Sequence, residues 1–280
     1  MNKLTIVSPG AYTSIQDLGR FGYRHLGVPL SGAMDQQSAK LANLLVNNAE
    51  QNPVIEVTLS GPKIQFDSPT IVAITGAHIS PTLNGSPVTM NHKIEICEND
   101  TLAFGKVRYG VRCYIGVHGL ESDLTLNSTS QYEGITLKGR LEKGDSFNYK
   151  TANSDHSFTH VKTDPTLFGA KKLEITPGPD FDLIPKKEIK GLLDQTFQIH
   201  ENNRMGYRLE CEKPFINSLS IITSNVIPGT VQLTPSGQLI VLMRDAQVTG
   251  GYPRIFQLTD KAINQLAQLP SGYKLWLTLK

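Results

Sequence analysis

Residues 54–75 read VIEVTLSGPKIQFDSPTIVAIT, three runs of β-branched and aromatic residues parted by Ser60-Gly61-Pro62 and Asp67-Ser68-Pro69. Val, Ile, Phe and Thr suit a pleated, half-buried surface, and Gly and Pro punctuate it. VIEV (54–57), KIQF (63–66) and TIVAIT (70–75) are therefore predicted strands joined by turns. The same signature recurs at LTIV (4–7), KIEI (93–96), TLAF (101–104) and VRCYIGV (111–117). It returns at KLEITPGP (172–179), TFQI (196–199), TVQL (230–233), LIVLM (239–243), RIFQL (254–258) and KLWLTL (274–279). So many short strands predict a mainly β chain, built as a barrel or a sandwich.

Helices are few. MDQQSAKLANLLVNN (34–48) sets Ala39, Ala42 and Leu45, with Leu41 and Leu44, on one apolar stripe behind Asp35 as N-cap. A second helix is predicted within TDKAINQLAQL (259–269), ended by Pro270. TANSDHSFTHVKTDP (151–165) is polar and without period, which predicts a boundary between domains 1–165 and 166–280. IVAITGA and IVLMRDA echo one another too weakly to establish an internal repeat.

With 280 residues, 39% of them hydrophobic, the chain can bury a sizeable core in one large domain or two smaller ones. Its 27 basic and 25 acidic residues are well mixed and leave a formal charge of +2, no footprint for nucleic acid or anionic lipid. Cys97, Cys113 and Cys211 are widely spaced, with no C-x-x-C pair for zinc or redox exchange, as suits a reducing compartment. The start, MNKLTIVSPG, reaches Pro9-Gly10 before an apolar leader forms, and no apolar run approaches the ~20 residues of a membrane span. A cytoplasmic protein is expected, binding neither nucleic acid nor membrane.

Several familiar chemistries are absent. GITLKGRL (134–141) has a phosphate loop's glycine spacing without its Lys-Ser/Thr pair. His156 and His160 stand four apart but in the polar connector, with no third ligand in view, so no metal is expected. Ser60 and Lys63 have a Ser-x-x-Lys spacing, yet Gly61-Pro62 makes a turn where that chemistry needs a helix. No lysine lies between methionines, so any biotin would arrive on another chain.

Three polar clusters in turn settings stand out instead. SIQDLGRFGYRHLGVPLSGAMD (14–35) carries Gln16, Asp17, Arg20, Arg24 and Asp35 among four glycines. NNRMGYRLE (202–210) adds Arg204, Tyr207 and Arg208, and RDAQVTGGYP (244–253) follows an apolar strand. One reading has the glycines shaping turns and the Arg and Asp side chains forming ordinary bridges, among them one between Arg204 and Asp245. The other has them holding a ligand.

TSIQDLGRFGYRHLGVPLSGAMD (13–35), ANLLVNN (42–48), IEVTLSGP (55–62), NNRMGYRL (202–209), IPGTVQLTPSGQLIVLMRDAQVTGGYP (227–253) and LAQLPSGYKLW (266–276) closely resemble one family. It is the allophanate hydrolase subunit 2, or biotin-dependent carboxyltransferase-like, family, and the likeness covers nearly the whole chain. The resemblance implies two cyclophilin-like β-barrel domains and a role most like that of the C subunit of ATP-dependent 5-oxoprolinase. That enzyme opens the lactam of 5-oxo-L-proline to L-glutamate. Implied with it are ATP, shared with partner subunits, and two partners: a lactam-utilisation-type A subunit, and a homologous inhibitor-like B subunit. The family's alternatives are a regulator that antagonises a kinase-inhibitor-like partner, and a biotin-dependent carboxyltransferase acting on urea or a related amide. Where the family places an arginine this chain has Ala246, and it gains one at Arg244.

The family's substrates present an N–H beside a C=O, and the amide of Gln247 can donate and accept against that edge. Asp245 can accept from an N–H, and Arg204 can hold a carboxylate or a developing negative charge. Arg204, Asp245 and Gln247 are the expected catalytic residues, with Arg204 and Asp245 acting on a ligand and contributing little to the fold. Gln16, Asp17, Arg20, Asp35, Tyr207, Thr249, Gly250, Gly251 and Tyr252 are expected to bind substrate.

Overall fold

KIQF alternates exposed and buried side chains, whereas TIVAIT is buried throughout. The difference follows from what covers each strand. The computed structural model describes residues 2–152, 161 and 167–280, so His156 and His160 lie outside the described residues. The chain divides into two units, residues 1–21 with 31–165, and residues 22–30 with 166–280.

The first unit holds β1 (Asn2–Ser8), β2 (Tyr12–Gln16), α1 (Gln36–Leu45), β3 (Val54–Thr58), β4 (Lys63–Phe66), β5 (Thr70–His78) and β6 (Pro81–Leu83). Then follow β7 (Ser86–Pro87), β8 (Lys93–Ile96), β9 (Thr101–Phe104), β10 (Tyr109–Val117) and β11 (Ser146–Tyr149). They form two sheets, ordered β11-β1-β4-β9-β6-β7 and β2-β3-β10-β5-β8. Leu4, Ile6, Ile64, Phe66 and Leu102 of the first sheet share one core cluster with Ile15, Ile55, Val57, Ile74 and Ile115 of the second. Helix α1 covers the other face of the second sheet, setting Ala39 and Ala42 against Val54 and Tyr114, and Leu45 against Ile71 and Ala73. Strands β3, β5 and β10 are thus covered on both faces and read as continuous apolar runs, while β4 keeps one face outward. Asp35 caps α1, its Oδ1 accepting from Ser38 N at 3.1 Å. The approach of α1 to β10 is so close that a Cβ on Gly116 would stand 2.5 Å from the Ala42 carbonyl oxygen.

The second unit holds β12 (Lys172–Pro177), α2 (Lys186–Leu193), β13 (Phe197–Asn202), β14 (Gly206–Glu210), β15 (Ser224–Asn225) and β16 (Thr230–Leu233). It continues with β17 (Leu239–Leu242), β18 (Thr249–Gly250), β19 (Arg254–Leu258), α3 (Asp260–Leu266) and β20 (Lys274–Leu279). Seven of these strands close into a barrel, β12-β19-β16-β17-β14-β13-β20, sealed by a parallel pairing of β12 with β20. A mainly β chain is what the strand signals predicted. The implied barrel is closed in the second unit, whereas the strands of the first are arranged as two sheets over one core. Helix α2 had no clear sequence signal, for KKEIKGLL is charged, interrupted by Gly191, and buries only Ile189 and Leu192.

An ion pair ties β19 to the segment after β12. Asp180 accepts from Arg254 N at 2.9 Å, Nε at 2.8 Å and Nη2 at 3.3 Å. These bonds hold its carboxyl below the ordinary aspartate range, the Arg254 side chain contributing most. A depressed folded-state pKa adds stability above the unfolded value of about 4 and loses it as pH falls through the folded one. The gap in unfolding midpoint between wild type and Asp180→Asn should therefore narrow steadily from pH 6 to pH 2.5; a constant gap would remove the ion pair as its cause.

Candidate functional site

In the second unit, strand β17 ends at Leu242 beside Gly206, the first residue of β14, and the chain then turns through residues 243–248 into β18. Thr249 and Gly250 pair with Asn225 and Ser224 of β15. This turn and ribbon wall a cleft of about 360 Å³ lined by Met205, Gln232, Gln247, Gly250, Gly251 and Tyr252, among others. Four residues expected at the site from sequence, Gln247, Gly250, Gly251 and Tyr252, thus meet in one cleft. Gln247 is exposed, with its amide open to a ligand. A larger groove of about 660 Å³ runs along α2 to Trp276 and contains none of the expected residues.

Arg204 and Asp245 hold each other. The guanidinium Nε donates to Asp245 Oδ2 at 2.7 Å and Nη2 to Oδ1 at 3.0 Å, a bidentate fork in which both residues are buried. Backbone bonds run alongside, Asp245 N to Arg204 O at 2.9 Å and Met243 N to Met205 O at 2.9 Å. The expectation that this pair contributes little to the fold is corrected here: both carboxylate oxygens are engaged by arginine, and the fork clamps residues 204–205 to 243–245. It adjoins cleft-lining Met205, whose carbonyl accepts from Met243 N, and stands two residues before cleft-lining Gln247. Forty-one residues separate the partners, a distance over which sequence alone does not reveal pairing.

Tyr207 is fully buried, registered against Val241, and does not line the cleft. Thr249 is exposed on β18. Arg244 is buried, and Ala246 packs with Val226, Leu242 and Ile240. A larger charged residue at 246 would enter that apolar cluster, which accounts for alanine there. Arg24, in the segment that joins this unit, donates to the carbonyl oxygens of Val226 and Val248.

The candidates of the first unit are buried and hydrogen-bonded inside it. Asp17 accepts from Gly19 N (2.8 Å), Ser128 Oγ (2.8 Å) and Ser130 Oγ (2.5 Å) on one oxygen. On the other it accepts from Thr129 N (2.7 Å) and Thr129 Oγ1 (3.3 Å). Arg20 donates to the carbonyls of Thr125 at 3.0 Å and Ser130 at 2.7 Å. Gln16 donates to Ser14 Oγ at 3.0 Å and Gln131 O at 3.2 Å. Asp35 serves its helix cap. Together Gln16, Asp17 and Arg20 bind the loop 125–131 to the end of β2.

Sequence reasoning missed Glu56, a fully buried carboxylate in β3 that accepts from Met34 N at 2.8 Å and Tyr114 Oη at 2.9 Å. Burial first, and the Glu56 charge second, push the Tyr114 hydroxyl well above its ordinary pKa. The available signal was a lone Glu inside an apolar strand. Among the described residues no cluster of three or more His, Cys, Asp or Glu is placed to hold a metal ion. No helix among them is long and apolar enough to cross a membrane.

Comparison with known proteins agrees with this architecture. Residues 26–279 match the model of the carboxyltransferase domain, subdomain A and B. The chain is 31% identical over 275 residues to the C subunit of 5-oxoprolinase from Escherichia coli (strain K12), covering 96% of this chain and 88% of that protein. It is 35% identical over 233 residues to urea amidolyase of Saccharomyces cerevisiae, covering 75% of this chain and 12% of that protein. The crystal structure of TTHA0988 superposes with a TM-score of 0.90 at 28% identity, over 99% of this chain and 55% of that one, so this chain spans little more than half its length. That of the Kluyveromyces lactis urea amidolyase superposes with a TM-score of 0.83 at 28% identity, over 98% of this chain and 18% of that one. With nearly every strand of both units inside the matched region, the chain belongs to the family of the carboxyltransferase domain, subdomain A and B.

Proposed function

We propose that this chain is a cytoplasmic subunit of an ATP-dependent 5-oxoprolinase, which opens the lactam of 5-oxo-L-proline to L-glutamate together with two partners, a lactam-utilisation-type A subunit plus an inhibitor-like B subunit. The observation that carries the proposal is the cleft over the Arg204–Asp245 fork, with the free amide of Gln247 on its wall, in a chain similar over 96% of its length to the C subunit of a 5-oxoprolinase.

A lactam carbonyl is a poor electrophile, because the ring nitrogen donates into it. ATP would transfer its terminal phosphoryl group to the lactam oxygen and leave as ADP; water would then add to the ring carbon, the C–N bond would open as the nitrogen takes up a proton, and phosphate would be released. Gln247 would hold the N–H and C=O of the ring, Gly250 and Gly251 would let the backbone approach it, and Tyr252 would wall the pocket. Arg204 and Asp245 would act by keeping these segments in place. The loop 125–131, bound through Gln16, Asp17 and Arg20, would position the first unit in the same assembly, while Asp35 holds the start of α1.

Co-purification of the chain with its partner subunits, followed by measurement of glutamate release from 5-oxoproline and ATP, tests the reading. Release by the full assembly and none by the chain alone is the expected result, and an inactive full assembly overturns it. The likeness to urea amidolyase favours a second reading, transfer of a carboxyl group to urea or a related amide from biotin carried on another chain. Urea-dependent turnover of carboxybiotin by the same assembly would replace the first reading with that one.

A further inference from the structure

We infer that Gln232 reads the amide edge of the ligand and makes the cleft selective for a planar cis amide bearing an N–H, the edge that a lactam ring presents. The inference deepens the reading above and rests on it for the choice of cleft. Gln232 lies within β16, where its strand neighbours Val231 and Leu233 are core residues, and it is 2% exposed. Yet it lines the cleft.

A side-chain amide offers two N–H donors and an oxygen acceptor, and buried polar groups are ordinarily satisfied. Among the described residues the side chain of Gln232 makes one hydrogen bond, a long one from Nε2 to the Tyr252 carbonyl oxygen at 3.4 Å. That bond fixes which way the amide faces, since only the nitrogen can donate to a carbonyl. Oε1 is left to accept from something else, and Nε2 keeps a second N–H.

Gly250 makes room for this arrangement. A Cβ at that position would stand 2.4 Å from Gln232 Nε2 and 3.3 Å from its Cδ. Gln247, on the same wall as Gly250 and Gly251, supplies a second amide. An acceptor beside a donor is the complement of an N–H beside a C=O. A ring amide shows both on one edge, whereas an open-chain secondary amide in its usual trans form points them in opposite directions.

The test uses the purified full chain and two probes, 2-pyrrolidone and N-methyl-2-pyrrolidone, titrated by ligand-observed NMR. The wild type is expected to bind 2-pyrrolidone about tenfold or more tightly than the N-methyl ring, which has no hydrogen to give Oε1. Gly250→Ala, which pushes the Gln232 amide aside, and Gln232→Leu should each weaken 2-pyrrolidone about tenfold and abolish the preference. Equal binding of the two probes by the wild type, or no binding of 2-pyrrolidone, overturns the inference. So does a preference undiminished in either variant that keeps the wild-type unfolding midpoint. An assembly that releases no glutamate while the chain keeps its Gln232-dependent preference sinks the proposed function alone. Undiminished glutamate release with unchanged KM in Gly250→Ala sinks this inference alone.

Discussion

Arg204→Ala is expected to lower the unfolding free energy by about 3–5 kcal/mol, the cost of leaving one half of a buried ion pair without its partner. The carboxylate of Asp245 receives two guanidinium N–H bonds and is 4% exposed. Water cannot replace both bonds without opening the clamp between residues 204–205 and 243–245. Arg204→Lys keeps the charge but loses the planar fork, and should recover only part of the loss. Changing both partners together, Arg204→Leu with Asp245→Leu, should be far milder than the two single losses added, because no buried charge is stranded. Denaturant unfolding of the wild type, Arg204→Leu, Asp245→Leu and the double variant forms the cycle. A loss below about 1 kcal/mol for Arg204→Ala, the range of a solvent-exposed pair, would show that the fork does not hold the cleft.

Asp17→Ala should cost a comparable about 3–5 kcal/mol, since each donor left unsatisfied in a buried site is worth about 1–3 kcal/mol and some hydroxyls can turn to new partners. Asp17→Asn is the sharper experiment. Oδ1 faces the N–H of Gly19 and Oδ2 the N–H of Thr129, so the new NH₂ meets a backbone donor whichever way the amide turns. Hydroxyls can rotate away from such a clash, but backbone N–H groups cannot. A near-isosteric change should therefore be almost as damaging as truncation, read as a fall in Tm and early proteolysis within residues 119–142. An Asp17→Asn protein with wild-type Tm would mean that the loop holds itself.

Strands were legible where their apolar pattern is strong. KIQF, KIEI, TLAF, TVQL, RIFQL and KLWLTL are strands over the residues read from sequence. Strand β2 was hidden because Thr13, Ser14 and Gln16 are buried polar residues, their hydrogens satisfied by neighbours such as the Pro9 carbonyl, so no alternation shows. Strand β14 was obscured by the Arg and Gly content of GYRLE, read as a polar turn. At the site, the Gly-Gly-Tyr stretch and Gln247 could be found because they stand together in one segment. Two things stayed out of reach. The bonds of Arg204 and Asp17 run to residues 41 and more than a hundred positions away. Gln232 sits in a strand whose other members belong to the core, and a composition-based reading counts it with them.

The parallel seam of the second barrel sets an order of events during synthesis. Strand β12 is the first strand of that barrel to leave the ribosome and β20 the last, yet they are neighbours, and β20 also pairs with β13. Until Lys274–Leu279 emerges, both β12 and β13 present an unpaired edge, and the ring waits on its final six residues. Nascent chains thus pass through a stage with a complete first unit and an open second one. Closure is a single late step between segments about a hundred residues apart, the kind of long-range pairing that folds slowly and leaves strand edges exposed to other chains.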